Sequence, residues 1–420
     1  MPNKLKKFWK SIGPGLITGA ADDEPSAIAT YTIAGAKFGY SMLWLALFSL
    51  PLMISVQEMS ARIGRISNKG LAGNLKQHYP RWIVFLMAFL IVGANIINMG
   101  ADMSGMAQAI SMVIPAASEK ISALAITVLI LFLVVLLPYR KIFTIFKWVA
   151  LSLLAYVFAT FTIHQDWRQI ITHLFIPTFQ MNKEFWLILI AFMGTTLSPY
   201  LFFWQASQEI EEKIIEQCKP GRICRLKPAT TDDLKKIDED TRVGMVFSNI
   251  ITFFIITLTA STLFRAGIHN IESLRDAAEA LKPLAGEYSY LLFTLGIVGG
   301  GFLAIPVLAG SAAYALSEVF GWSVGLNKSF AKAKEFYAVI IASSMVALAI
   351  PLLGLNPIKA MFYTSVIFGV ISPVLIIMII HMANNRKIMG EHVNNWKLNT
   401  LGYITFVIML IFAIAVFFLL

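Results

Sequence analysis

Long apolar stretches, separated by short charged connectors, fill this chain from end to end. Runs of membrane-spanning length fall at about 12–36, 41–62, 82–112, 121–138, 142–163, 185–209, 242–264, 287–316, 336–353, 357–382 and 399–419. About twenty apolar residues suffice to cross a bilayer as a helix, so the pattern predicts an all-α polytopic membrane protein with eleven spans. The one sizeable polar insertion, 210–241, contains "KPATTDDLKKIDED". It mixes both signs of charge and reads as a solvated helix and linker rather than a domain. The chain is therefore expected to be a single transmembrane unit over 1–420. The glycine-rich "GIVGGG" at 296–301 lacks the Lys-Ser/Thr of a phosphate loop, and glycines in a membrane helix allow close helix packing.

Composition supports this reading. Of the 420 residues, 57% are hydrophobic and only 14% are charged, against about a quarter charged in soluble domains. The formal net charge of +10 does not point to nucleic acid, because no nucleic-acid motif accompanies it. Instead the basic residues sort by side. With the N-terminus placed in the cytoplasm, 26 of the 34 Lys and Arg residues fall in cytoplasmic segments. That bias predicts a cytoplasmic N-terminus and, with eleven spans, an external C-terminus. Cell-membrane localisation is expected, with no cleavable leader and a monomeric state. Cys218 and Cys224, in "CKPGRIC", supply too few ligands for zinc. In a cytoplasmic loop they are expected to stay unpaired.

Candidate chemistry gathers at two interruptions. In "GAADDEPSAIAT", Asp22, Asp23 and Glu24 precede Pro25 inside the first span. An ionisable residue at mid-membrane costs roughly 2.5–3.5 kcal/mol on insertion scales, so Glu24 needs a partner or an aqueous cavity. Pro25 removes a backbone donor and breaks the helical ladder. Unwound backbone at that depth is tolerated only where it faces protein or a cavity. The sixth span repeats the device in "MGTTLSPYLFFWQ", where Pro199 is surrounded by Thr195, Thr196 and Ser198. Interrupted helices in corresponding positions of two halves point to a transporter binding site. Freed carbonyls beside a carboxylate suit a cation. Asp22 and Asp23 either line an entry vestibule or pair with a loop Lys or Arg.

At these residues the chain resembles the natural resistance-associated macrophage protein (NRAMP) family of divalent metal transporters. The likeness extends through "GPGLITGAADDEPSAIATYTIAGAKFGYSMLW", "QEMSARIGRISNKGLAGNLKQHYP", "GLNPIKAMF" and "SPVLIIMIIHMANNRKIMGEHVNNW". It implies a LeuT-like inverted 5+5 repeat with discontinuous first and sixth helices. The repeats would be about 12–163 and 185–382, followed by an extra helix near 399–419. The family's Asp-Pro-Gly-Asn becomes Glu24-Pro25-Ser26-Ala27, and its Met-Pro-His becomes Ser198-Pro199-Tyr200. The resemblance thus puts the metal carboxylate on Glu24, with Asp23 able to share the role. Ser26 and Ser198 join the site, as do the backbone carbonyls of Ala21 and Thr195. Pro25 and Pro199 are the helix breaks.

Loss of the thioether and the asparagine is similar to the pattern of NRAMP-related magnesium transporters. Soft sulfur ligands select transition metals, whereas Mg2+ wants oxygen and keeps several waters. Mg2+ and Mn2+ are therefore both expected as transported substrates, with no resident cofactor. In the third span the family's acidic positions read Asn95, Asp102 and Gly105. Tyr200 replaces a titratable histidine, which leaves Asp102, Asn95 and Tyr200 as a polar or proton relay and predicts weak or absent proton coupling. Asp102 is otherwise expected to hydrogen-bond Asn95 or Asn98. The alternatives are a proton-coupled Mn2+/Fe2+ importer and an amino-acid permease of the same fold. A membrane enzyme lacks a recognisable catalytic set, and a non-transporting scaffold would have only 210–241 with which to recruit a partner.

Overall fold

A computed structural model describes residues 13–137, 141, 144–145, 148–180, 182–218, 226–282 and 286–419. The expected inside residues Lys4, Lys6, Lys7, Lys10, Arg140 and Lys147 lie outside this set, as does Cys224. The described chain is almost wholly helical. Its main helices are α1 (Pro14–Asp22), α2 (Pro25–Phe38), α3 (Leu43–Ser67), α4 (Leu71–His78), α5 (Arg81–Val113), α6 (Glu119–Leu136) and α7 (Leu154–Phe161). They continue as α8 (Lys183–Thr196), α9 (Pro199–Gln217), α10 (Thr231–Thr259), α11 (Ser289–Phe320), α12 (Lys334–Ala347), α13 (Pro357–Asn384) and α14 (Trp396–Leu419).

Among the described residues, nine segments are long and apolar enough to cross a membrane, against the eleven expected. One of the nine, Pro25–Ser67, runs α2 and α3 together through a single tight turn. It therefore merges the expected first and second spans. Of the expected 142–163 span, the described part leaves the shorter apolar helix Ala150–Phe161. Large apolar side chains such as Trp82 and Phe89 on α5, Ile121 and Phe132 on α6, and Phe417 on α14 face outward, as a lipid-facing surface requires.

The polar insertion takes definite form, and the expectation for the cysteines is corrected. The polar segment 210–241 is mostly the ends of two spanning helices: α9 continues to Gln217 and α10 starts at Thr231. The α10 start is fixed by a reciprocal cap, in which Thr230 accepts from the Asp233 N–H and Asp233 accepts from that of Thr230. Cys218 is disulfide-bonded, not free.

Both helix breaks form as the prolines dictate. A residue before proline is pushed out of the α region, and proline is well suited to the first helical position. Accordingly Glu24 is extended at φ −69°, ψ 167°, and Pro25 begins α2. Ser198 is extended at φ −65°, ψ 119°, and Pro199 begins α9. The residues just ahead share one geometry: Asp23 has φ −83°, ψ 51° and Leu197 has φ −109°, ψ 51°.

Small residues let the broken helices approach their neighbours. A Cβ added at Gly19 would lie 2.0 Å from the Gly244 carbonyl oxygen of α10, and one at Gly194 would lie 2.2 Å from the Ser365 oxygen of α13. The glycine run in α11 serves the same purpose: a Cβ at Gly301 would meet Met106, and one at Gly300 would lie 2.9 Å from the Asp23 carbonyl oxygen. At one end of the bundle, ion pairs tie α3 to its neighbours. Arg62 pairs with Asp238, Arg242 with Glu58, and Arg65 with Glu216. There Asp240 also accepts hydrogen bonds from the Gly13 and Gly15 amides at 2.9 and 2.7 Å, holding the start of α1 against α10.

Candidate functional site

Glu24 lies in the break between α1 and α2 and is fully buried. Neither carboxylate oxygen has a hydrogen-bond partner. Its polar and charged neighbours are Asp102 and Asn98 of α5, Tyr200 of α9 and Asp22 of α1. A buried carboxylate with no partner is costly, which marks this point as built for something other than packing.

The surroundings are assembled from both breaks. Ser26, in the first turn of α2, offers its amide and hydroxyl to Asp102 Oδ1 at 3.1 and 2.6 Å, and its hydroxyl also lies 2.9 Å from Asn98 Oδ1. Asp102 therefore caps the α2 N-terminus, where the helix dipole favours negative charge. The expected bond from Asp102 to Asn95 or Asn98 does not form. The Ser26 amide is freed by the Pro25 break and offers a fixed donor instead, and Asn95 turns to the Leu308 carbonyl at 3.0 Å. Asp102 Oδ2 and the Asn98 amide nitrogen remain unpartnered.

From the second break, Tyr200 donates to the Ala21 carbonyl at 2.7 Å. This single bond joins the two interruptions beside Glu24. It uses one lone pair of a carbonyl expected to bind metal and leaves the other open. The Ser198 hydroxyl donates to the Thr195 carbonyl at 2.5 Å, so those two expected oxygens are paired with each other. Thr195 Oγ1 is buried and unpartnered.

The structure thus gathers Glu24, Ser26, Asp102, Tyr200 and the Ala21 carbonyl at one place, with Ser198 and Thr195 on the adjoining break. Asp23 stands apart. It turns with Asp22 toward Ser248 of α10, whose hydroxyl donates to Asp22 at 2.8 Å and lies 3.4 Å from Asp23. Neither aspartate forms the expected pair with a loop Lys or Arg among the described residues, because both are fully buried. At the Gly105 position a Cβ would lie 2.7 Å from Met361 Sδ and 3.9 Å from Pro25, so the space beside α5 there is filled by the Met361 thioether. Among the described residues no three Asp, Glu, His or Cys side chains converge as a metal cage.

Asn98, Ser248 and Thr364, whose hydroxyl lies 3.5 Å from that of Ser26, were not legible as site residues. The only sequence signal was four-residue spacing from Asn98 to Asp102, which puts both on one face of a helix.

A family model described as natural resistance-associated macrophage protein-like matches residues 15–419. The chain belongs to this family. This NRAMP-family chain is 27% identical over 394 residues to the divalent metal cation transporter MntH of Caldanaerobacter subterraneus, covering 92% of the chain and 88% of the relative. Its fold matches a manganese transporter of Eremococcus coleocola, crystallised with an aromatic bis-isothiourea compound, at a TM-score of 0.79 and 14% identity. That match covers 98% of this chain and 88% of the other. It also matches the inward-facing form of Mhp1 at a TM-score of 0.54 and 14% identity, covering 96% and 89%. The NRAMP fold, with its interrupted first and sixth helices, is therefore the fold of this chain.

Proposed function

We propose that this NRAMP-family protein carries divalent metal cations across a membrane by alternating access, with Glu24 as the charged ligand. The observation that carries the reading is a fully buried Glu24 whose two oxygens have no partner, set where both helix breaks meet. The matched relatives are transporters by name, which leaves the membrane-enzyme and scaffold readings without support.

The ions we assign are the hard ones, Mg2+ and Mn2+. The polar atoms around Glu24 are oxygens and amide nitrogens from Asn98, Ser26, Asp102, Tyr200 and Ala21. Mg2+ is typically held by one or two carboxylates and keeps much of its water, which suits a centre with few acids. Mn2+ accepts the same ligands, and a manganese transporter shares this fold. Weak or absent proton coupling follows from the same residues. Tyr200, whose hydroxyl ordinarily titrates near 10, is engaged with Ala21, and Gly105 carries no relay acid.

The test is uptake into proteoliposomes that carry separate dyes for Mg2+, Mn2+ and internal pH. We expect both ions to enter, with no acidification in step with them. Mn2+ entry with matching acidification and no Mg2+ entry would establish the proton-coupled importer instead.

A further inference from the structure

Three consecutive carboxylates occupy the first break, yet they serve two different places. Glu24 lies beside α5 and α9 with Asp22 nearby, while the Asp22 and Asp23 carboxylates take their hydrogen bonds from Ser248 of α10. Asp22 and Asp23 are each 0% exposed. Each keeps one oxygen, Asp22 Oδ1 and Asp23 Oδ2, with no hydrogen-bond partner. Among the described residues no ion pair reaches either of them. Buried carboxylates are ordinarily paired or coordinate a metal, and among the described residues the protein supplies no cationic side chain to this pair.

A separate side chain points to the same place. Tyr156 of α7 is buried and its hydroxyl has no hydrogen-bond partner. Gly296 and Gly300 of α11 show the placement. A Cβ at Gly296 would lie 3.3 Å from the Tyr156 hydroxyl, and one at Gly300 would lie 2.9 Å from the Asp23 carbonyl oxygen. Those glycines are one helical turn apart on a single face. The glycine run therefore brings the break and an unused buried hydroxyl together, where bulkier residues would hold them apart.

We propose that Asp22, Asp23, Ser248 and Tyr156 form a second cation site, built wholly of oxygen and distinct from the Glu24 centre. Its ligand is a hard cation, either Na+ or a second divalent ion, both of which take carboxylate and hydroxyl oxygens. The site extends the transport reading without depending on Glu24. A cation here would compensate the charge beside the break and bind α1 to α10, the pair of helices that Gly19 and Gly244 bring into contact.

Equilibrium dialysis of the purified full-length protein tests this, using radiolabelled Mn2+ and radiolabelled Na+ separately and together. The variants are the double substitution Asp22→Asn/Asp23→Asn, the single Ser248→Ala, and Glu24→Gln. Wild type should bind one more cation than the double variant, and the double variant should keep the ion held by Glu24. Which label is lost identifies the second ion. Ser248→Ala removes one neutral oxygen and should weaken only the second ion, by roughly tenfold; it decides the matter if the double variant does not fold. Equal stoichiometry in wild type and double variant, unchanged affinity in Ser248→Ala, or loss of every ion in Glu24→Gln would overturn the second site. Binding unchanged in Glu24→Gln would count against the Glu24 centre alone.

Discussion

At the residue scale, the informative contrast is between carboxylates that have partners and those that do not. Asp102 anchors the start of α2 through Ser26, whereas Glu24 has nothing to anchor. Substituting Asp102 separates structural from relay roles. Asp102→Ala strands the Ser26 amide and should cost about 1–3 kcal/mol, seen as a lowered thermal midpoint in detergent. Asp102→Asn keeps the acceptor and should lose much less. If the two variants are equally stable, Asp102 is not the cap described here. The break at Pro25 beside a buried Glu24 was readable, because proline ends the helical ladder and a charge at mid-span is too costly to persist without a ligand, a partner or water. The partner of Asp102 was not readable. It depends on how α5 is rotated against α2, and no spacing within either helix encodes that.

At the element scale, each break is a local consequence of proline, and what makes it stable is contact with an intact helix. Gly19 against Gly244 is such a contact of α1, with backbone on both sides. Backbone cannot swing aside as a flexible side chain can. Gly19→Ala should therefore push α1 off α10 and destabilise the protein by about 1–3 kcal/mol, with transport falling alongside the unfolding midpoint. Gly93, where an added Cβ meets nothing within 4 Å, is the control, and Gly93→Ala should change neither. The positions of the breaks and of the glycine run were legible in the sequence. The partners of those glycines were not, since helix crossings join residues far apart in sequence, such as Gly19 and Gly244. The bounds of the helices within 210–241 were not legible for a related reason: charged helix ends protruding from a bilayer look like a loop in a hydropathy pattern.

At the scale of the whole molecule, one end is closed by charge. The Arg62–Asp238, Arg242–Glu58 and Asp240–α1 contacts lie at the end where α1 begins. Just inside it, buried Thr18 donates to Gln205 at 2.5 Å, and Gln205 donates to Glu209 at 3.0 Å. On the proposed function this polar file is the route that α1 uncovers when that end opens. Releasing Asp240 should favour opening. Asp240→Ala removes a charged cap worth about 1 kcal/mol, a shift of roughly fivefold in the open fraction. A Thr18→Cys reporter should then be alkylated several-fold faster by a water-soluble maleimide than in the Asp240 parent. Equal rates would mean that Asp240 does not hold the closure. The alternation of greasy runs and basic connectors made the fold class legible at this scale, down to the interrupted first and sixth helices. The span count was less so, because a tight turn can merge two spans into one continuous stretch.

The central claim is that Glu24 coordinates a hard divalent cation in transit. Its most direct test is uptake of Mg2+ and Mn2+, in parallel, into proteoliposomes containing wild type, Glu24→Ala or the conservative Glu24→Gln. Each protein is first shown to be monodisperse with the same thermal midpoint. The account predicts that wild type moves both ions and that both variants fall to the rate of empty vesicles. Uptake undiminished in a folded Glu24→Gln protein would contradict it.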